Sequence, residues 1–194
     1  MPEAISIIQD EHRSLAAVLH GLVHLTEAIE AGRAEPDFDL FDAMLTYIEE
    51  FPERLHHPKE DETLYRALRQ RDPETAVILD RLESEHRQGQ GLIVELKTAL
   101  AYFRERGQEG LEAFAVALRG YASFHWNHMR TEEDHVLPRA LEILTGEDWS
   151  RIDEAFRSNL DPLAGVDVRD ELRELFRRIA HRAPSPIGVG PAGS

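Results

Sequence analysis

The chain has 194 residues, enough for one domain with a real hydrophobic core. Its formal net charge of −15, from 37 Asp+Glu against 22 Lys+Arg, argues against nucleic acid or an anionic membrane surface as partner. With no cysteine, disulfides, thiolate zinc sites and iron–sulfur clusters are excluded, and any metal must be held by nitrogen and oxygen.

The start, Met1-Pro2-Glu3-Ala4-Ile5, carries neither a basic leader nor an apolar run suited to export or a membrane span, so a cytoplasmic protein is expected. Ile5, Ile8, His12, Leu15, Leu19 and Leu22 then recur at steps of three and four, the inward stripe of an amphipathic helix. Pro2 suits its first turn, and Gly32 with Pro36 ends it. A second helix begins near Asp37 or Asp39 and carries Phe41, Leu45, Ile48 and Leu55, running on through Leu64 and Leu68. Pro58 cannot donate the hydrogen bond to the Arg54 carbonyl, so a bend is expected there. The third starts around Pro73, shows Leu79, Leu82, His86, Gly89, Ile93, Leu96, Leu100 and Phe103, and closes at Gly107. The fourth runs through Leu111, Phe114, Leu118, Tyr121, His125, His128 and Glu132 and ends before Gly146. No stretch shows sustained period-two alternation. The fold expected is all-α, an up-down-up-down four-helix bundle over residues 1–145.

Past Gly146 a helical extension is expected over residues 146–182, packed on the bundle or on a partner. Glu147 to Asn159 would bury Trp149, Ile152 and Phe156, with Thr145 as N-cap. Asp161-Pro162 breaks that helix, and Asp167 to His181 would bury Leu172, Leu175, Phe176 and Ile179. Residues 183–194, rich in Pro and Gly, read as a flexible tail.

The chemistry lies in a duplication. Glu11-His12-Arg13 is followed by His56-His57-Pro58-Lys59-Glu60-Asp61, and Glu85-His86-Arg87 by His128-Met129-Arg130-Thr131-Glu132-Glu133. His86 follows His12 by 74 positions and His128 follows His56 by 72. His12, His86, His128 and Glu132 all fall on inward stripes, where an unpaired carboxylate is costly unless a cation meets it. Residues four apart share a helix face, so His56 with Glu60, and His128 with Glu132, can each reach one centre. A glutamate from each of two helices can bridge two cations while each histidine gives one nitrogen. A dinuclear metal site follows.

These elements, with Leu137-Pro138 downstream, resemble the hemerythrin-like (HHE cation-binding) family over residues 3–145. The resemblance implies a centre of two non-haem iron ions inside a four-helix bundle. His12, His56, His86 and His128 would be terminal ligands, and Glu60 and Glu132 the bridges. The oxygen-carrying members have a further histidine one turn before the third-helix ligand, where this chain has Leu82. The four-histidine, two-glutamate set looks more like the branch containing iron–sulfur repair proteins and iron-sensing domains. The function implied is a protein that binds, senses or reduces O2, NO or peroxide, or handles iron. Fewer protein ligands leave open positions for such molecules.

His125, one turn before His128, is a candidate fifth nitrogen. His57 and Asp61 turn about 100° away from His56 and Glu60 on an α-helix and read as groups outside the ligand set or on the surface. Glu11, Glu85, Tyr47 and Tyr121 are candidates for holding the ligand rings. A rival, ferritin-like pattern uses Glu11, Glu53-x-x-His56, Glu85 and Glu132-x-x-His135, but its pairs repeat less regularly. Zinc also suits imidazole and carboxylate, and a metal-free helical interaction module is the plainest alternative. His20, His24, His135 and His181 read as ordinary core or surface residues. No nucleophile–base constellation or phosphate-binding glycine loop is present, and a homodimer is left open.

Overall fold

The computed structural model describes residues 1–158. They are helical almost throughout, with no strand among the described residues. The second C-terminal helix expected over Asp167 to His181, and the tail, lie outside the described residues.

Helix α1, Glu3–Glu30, follows Pro2 and ends where Gly32 takes φ 66°, a left-handed conformation that favours glycine. Helix α2, Phe38–Ile48, is capped by Asp37, whose carboxylate accepts from the Leu40 amide at 3.1 Å. The second arm then leaves α-helical winding. A π-helical segment, Glu49–His56, contains Pro52 and leads into the short α3, His57–Lys59. A second π segment, Glu60–Tyr65, precedes α4, Arg66–Arg71. The expected bend at Pro58 is thus a longer disturbance that begins at Glu49. The wider winding also carries Leu55, expected on the buried stripe, to 37 % exposure.

Helix α5, Ala76–Arg106, follows a 3-10 turn at Pro73–Thr75 and stops at Gly107, φ 58°. Helix α6, Gln108–Thr131, passes through a third π segment, Glu132–Val136, into α7, Leu137–Ile143. Both halves of the duplication therefore change winding at the glutamate of their His-x-x-x-Glu motif. Helix α8, Gly146–Arg157, opens with a capping box in which Thr145 and Asp148 satisfy each other's backbone N–H.

Helices α5 and α6 pack along each other, α1 lies on α6, and α2 on α5. Helix α8 sits on α1 and on the Glu60–Tyr65 segment, burying Trp149, Ile152 and Phe156. Two apolar clusters result. One gathers Leu19, Met44, Phe51, Leu96, Phe114 and neighbours. The other gathers Ile8, Leu64, Leu82, Val136 and Phe156. The duplicated motifs occupy the band between them, shielded from water on both sides. Among the described residues no helix is long and apolar enough to cross a membrane.

Candidate metal centre

All six residues singled out by the duplication are buried: His12, His56, Glu60, His86, His128 and Glu132 are each at most 4 % exposed. Their donor atoms converge in two groups. One joins His12, His56 and Glu60; the other joins Glu60, His86, His128 and Glu132. Glu60 belongs to both, with Oε1 3.2 Å from His56 Nε2 and Oε2 3.5 Å from His86 Nε2. Glu132 Oε2 lies 3.2 Å from His12 Nε2 and 3.5 Å from His128 Nε2. His86 Nε2 and His128 Nε2 face each other at 2.9 Å with their rings inclined at 61°.

Every one of the four rings is held from behind. His12 Nδ1 meets Glu133 Oε1 at 3.0 Å, His56 Nδ1 meets Glu11 Oε2 at 2.5 Å, His86 Nδ1 meets Asp61 Oδ1 at 2.8 Å, and His128 Nδ1 meets Glu85 Oε2 at 2.9 Å. An ionised carboxylate only accepts, so each bond places a proton on Nδ1 and aims Nε2 inward, where it is free to hold a metal once its own proton is lost. The pattern has two-fold logic. The glutamate before His12 holds His56, as the one before His86 holds His128. The acid after Glu60 holds His86, as the one after Glu132 holds His12.

Five of the facing atoms lack hydrogen-bonding partners. His12 Nε2, His56 Nε2, both oxygens of Glu60 and Glu132 Oε2 are buried without a hydrogen bond. Each such atom costs on the order of 1–3 kcal/mol, more where charge is involved. A pair of divalent cations in the gap would satisfy all five, and imidazole with carboxylate is a donor set such ions accept. The residues present therefore fit the metal.

Without metal the same gap sets the titration of its groups. For His12, burial pulls the pKa down, but Glu132 and Glu133 outweigh it and raise it to about 9. His56 and His128 are likewise raised by facing carboxylates against the pull of burial. His86, pressed by burial and then by His128, falls to about 3. Burial and the charge of Glu132 raise Glu60. Burial also pushes Glu132 up, yet the imidazoles of His128 and His12 hold it well below the usual carboxylate range.

Several neighbours escaped the sequence reading. Asp61 and His57 were read as groups outside the ligand set or on the surface. Asp61 does stand outside that set, holding His86 from behind, whereas His57 is not on the surface: it is 4 % exposed with its ring against His86. The 100° step presumes α-helical winding; π winding turns each residue by less and brings consecutive side chains inward together. Glu133 was legible in principle, since it stands after Glu132 as Asp61 stands after Glu60. Tyr65, which donates to Glu132 Oε1, carried no sequence signal. Among the candidates for holding rings, Glu11 and Glu85 do so, whereas Tyr121 donates to Glu53 Oε1 at 2.9 Å. His125 lies beside Glu53, its Nε2 3.3 Å from Oε1, and does not join the convergent donor groups. His135 is exposed, so the ferritin-like ligand set is not assembled. His20 and His24 are exposed, His20 against Trp126, and His181 lies outside the described residues.

A helical scaffold that buries imidazoles and carboxylates from four arms around a shared glutamate defines a cation-binding protein. The sequence comparison agrees: the model of the hemerythrin HHE cation-binding domain matches residues 3–140, and the chain belongs to that family. It is also 33 % identical over 70 residues to a "probable transcriptional regulatory protein" of Ligilactobacillus salivarius (strain UCC118). That match covers 36 % of this chain and 28 % of the relative's length. No solved structure matches the chain significantly.

Proposed function

We propose that the chain is a non-haem di-iron protein that binds, senses or reduces a small ligand such as O2, NO or peroxide. In this reading His12 and His56 hold one ion, His86 and His128 the other, and Glu60 and Glu132 tie the pair together. The four long arms form an up-down-up-down bundle over residues 1–145, with α8 packed on it as an extension. The five buried, unpartnered donor atoms carry the proposal. When bound, ferrous ions supply electrons and vacant coordination positions to a ligand. The protein's part is to aim each Nε2 inward with Nδ1 held from behind, to keep the donor groups together and to exclude bulk water.

Beside His12 and His56 the interior leaves a small pocket, walled also by Glu11, His57, Phe51 and Met129, with room for about one water molecule.

Anaerobic iron loading followed by optical and Mössbauer spectra, with and without O2 or NO, tests the proposal. Two irons per chain and a spectrum altered by either gas are expected; zinc retention with no iron uptake would overturn it. Glu132→Ala should lower iron content and thermal stability together, because bound metal stabilises the folded state. His86→Ala should disturb the iron spectrum and His135→Ala leave it largely intact.

A further inference from the structure

The two glutamates assigned to join the cations are not presented alike. Glu60 turns one oxygen to each histidine pair. Its Oε1 lies 3.2 Å from His56 Nε2 and 4.0 Å from His12 Nε2, and its Oε2 lies 3.5 Å from His86 Nε2. Glu132 turns the same oxygen to both pairs: Oε2 lies 3.2 Å from His12 Nε2 and 3.5 Å from His128 Nε2. Hydrogen bonding divides the two residues in the same way. Both oxygens of Glu60 and Oε2 of Glu132 are buried without a hydrogen bond, whereas Oε1 of Glu132 receives the Tyr65 hydroxyl.

Helical winding puts Tyr65 in that place. Glu60 and Tyr65 open and close one π-helical segment, five positions apart. Five α-helical steps would turn Tyr65 about 140° from Glu60. A π turn closes between residues i and i+5, which brings the two onto neighbouring faces. The Tyr65 ring is fully buried and lies nearly parallel to that of His86, with centroids 5.7 Å apart and planes at 12°. From there its hydroxyl reaches the glutamate of the fourth arm.

The duplication breaks at this point. Position 137 follows Glu132 as position 65 follows Glu60, and it holds leucine, buried in the same apolar cluster as Tyr65. Leu137 has no hydroxyl to give Glu60. One glutamate is therefore held by an O–H donor, and its counterpart keeps both oxygens for the gap. An oxygen already accepting a hydroxyl proton is the weaker donor to a cation.

We propose that Tyr65 is a positioning residue that makes the two bridges unequal: Glu60 joins the cations with one oxygen to each, and Glu132 joins them through Oε2 alone. The inference rests on the di-iron reading. A single shared oxygen holds two cations closer than an O–C–O bridge, because one atom rather than three lies between them. Without the Tyr65 hydroxyl, Glu132 is free to turn Oε1 to one cation and become a second O–C–O bridge.

The test uses the full chain loaded anaerobically with ferrous iron. Iron per chain and the iron–iron distance, read by X-ray absorption, are measured for the wild type, Tyr65→Phe and Tyr121→Phe. Tyr65→Phe keeps the ring against His86 and removes only the hydroxyl. Two irons are expected in all three proteins. In Tyr65→Phe alone the iron–iron distance should lengthen by more than about 0.2 Å, the ordinary spread of a metal–ligand distance. Tyr121→Phe takes a buried hydroxyl from Glu53, outside the ligand set, and should leave the distance at the wild-type value. An unchanged distance in Tyr65→Phe overturns the proposal, as does an equal lengthening in Tyr121→Phe, which would mark a general loosening of the core. If Tyr65→Phe fails to fold or loses its iron, a crystal structure of the iron-loaded wild type decides. Both irons on Glu132 Oε2, with Oε1 on Tyr65, uphold the assignment; one Glu132 oxygen on each iron overturns it. A wild-type chain that does not take up two irons refutes the di-iron reading, and the bridging assignment falls with it.

Discussion

The contact between Glu11 and His56 offers the sharpest test of how the rings are held. The two side chains are 3 % and 4 % exposed and their atoms 2.5 Å apart. Glu11→Gln preserves size and an amide oxygen that can still accept from Nδ1, but removes the charge that makes the ring a better donor to metal. Loss of a carboxylate behind a ligating histidine typically weakens metal affinity about 10- to 100-fold, or roughly 1.4–2.7 kcal/mol. Deep burial places Glu11→Ala toward the upper end, since it also leaves Nδ1–H without its carboxylate. Glu133, which holds His12 at 3.0 Å, has a side chain 43 % exposed. Water can replace much of that contact, so Glu133→Gln should cost only about a few-fold. Competition against a chelator gives the affinities, and thermal unfolding with and without metal gives the linked stability. A tenfold loss of affinity at saturating metal should remove about 1.4 kcal/mol, or roughly 3–6 °C, from the metal-dependent part of the melting temperature. The reasoning fails if Glu11→Gln lowers the metal-free melting temperature as much as the metal-loaded one, or if Glu133→Gln costs as much affinity as Glu11→Gln.

Metal-free protein should show opposing pH effects. The folded pKa of His12 is raised from 6.5 to about 9, so its contribution is complete below pH 6.5 and lost as pH rises through about 9. The folded pKa of His86 is depressed from 6.5 to about 3, so its contribution is present above pH 6.5 and falls away toward pH 3. Stability from these two groups therefore peaks near neutrality, and His12→Gln should flatten the alkaline limb in denaturant titrations run from pH 6 to 10; an unaltered limb rejects the assignment. Metal affinity should instead rise with pH across that window, because ligating imidazoles must shed their protons. In the helix that covers the Glu60–Tyr65 segment, Thr145→Ala removes the hydroxyl of the α8 capping box and should cost about 1 kcal/mol in denaturant unfolding. Iron content should stay at the wild-type value, and a parallel fall in iron would show that α8 does more than cover the site.

The inward register of His12, His86 and His128 was readable because each shares a three-four stripe with leucines and isoleucines now found in the core. The duplicated spacing linked those residues to His56, Glu60 and Glu132 before any contact was known. The same stripes misplaced Leu55 and His57. Leu55 lies in a π segment and His57 directly after it, and a periodicity argument silently assumes one winding angle. Glu53 shows a different gap. It appeared only as part of a competing pattern, because its partners His57, His125 and Tyr121 come together only when the second and fourth arms approach past Gly89.

Where the winding stays α-helical, local order along the chain is enough to say which side chains point inward, since helical spacing and apolar stripes are properties of neighbouring residues. It is enough, too, to reveal two matched sets of imidazole and carboxylate. Which acid grips which ring is another matter. Asp61 reaches His86 across 25 positions and Glu133 reaches His12 across 121, pairings that depend on how separate helices dock and on winding that leaves the α-helical regime. Those distances are settled by packing in three dimensions, because no local interaction spans them.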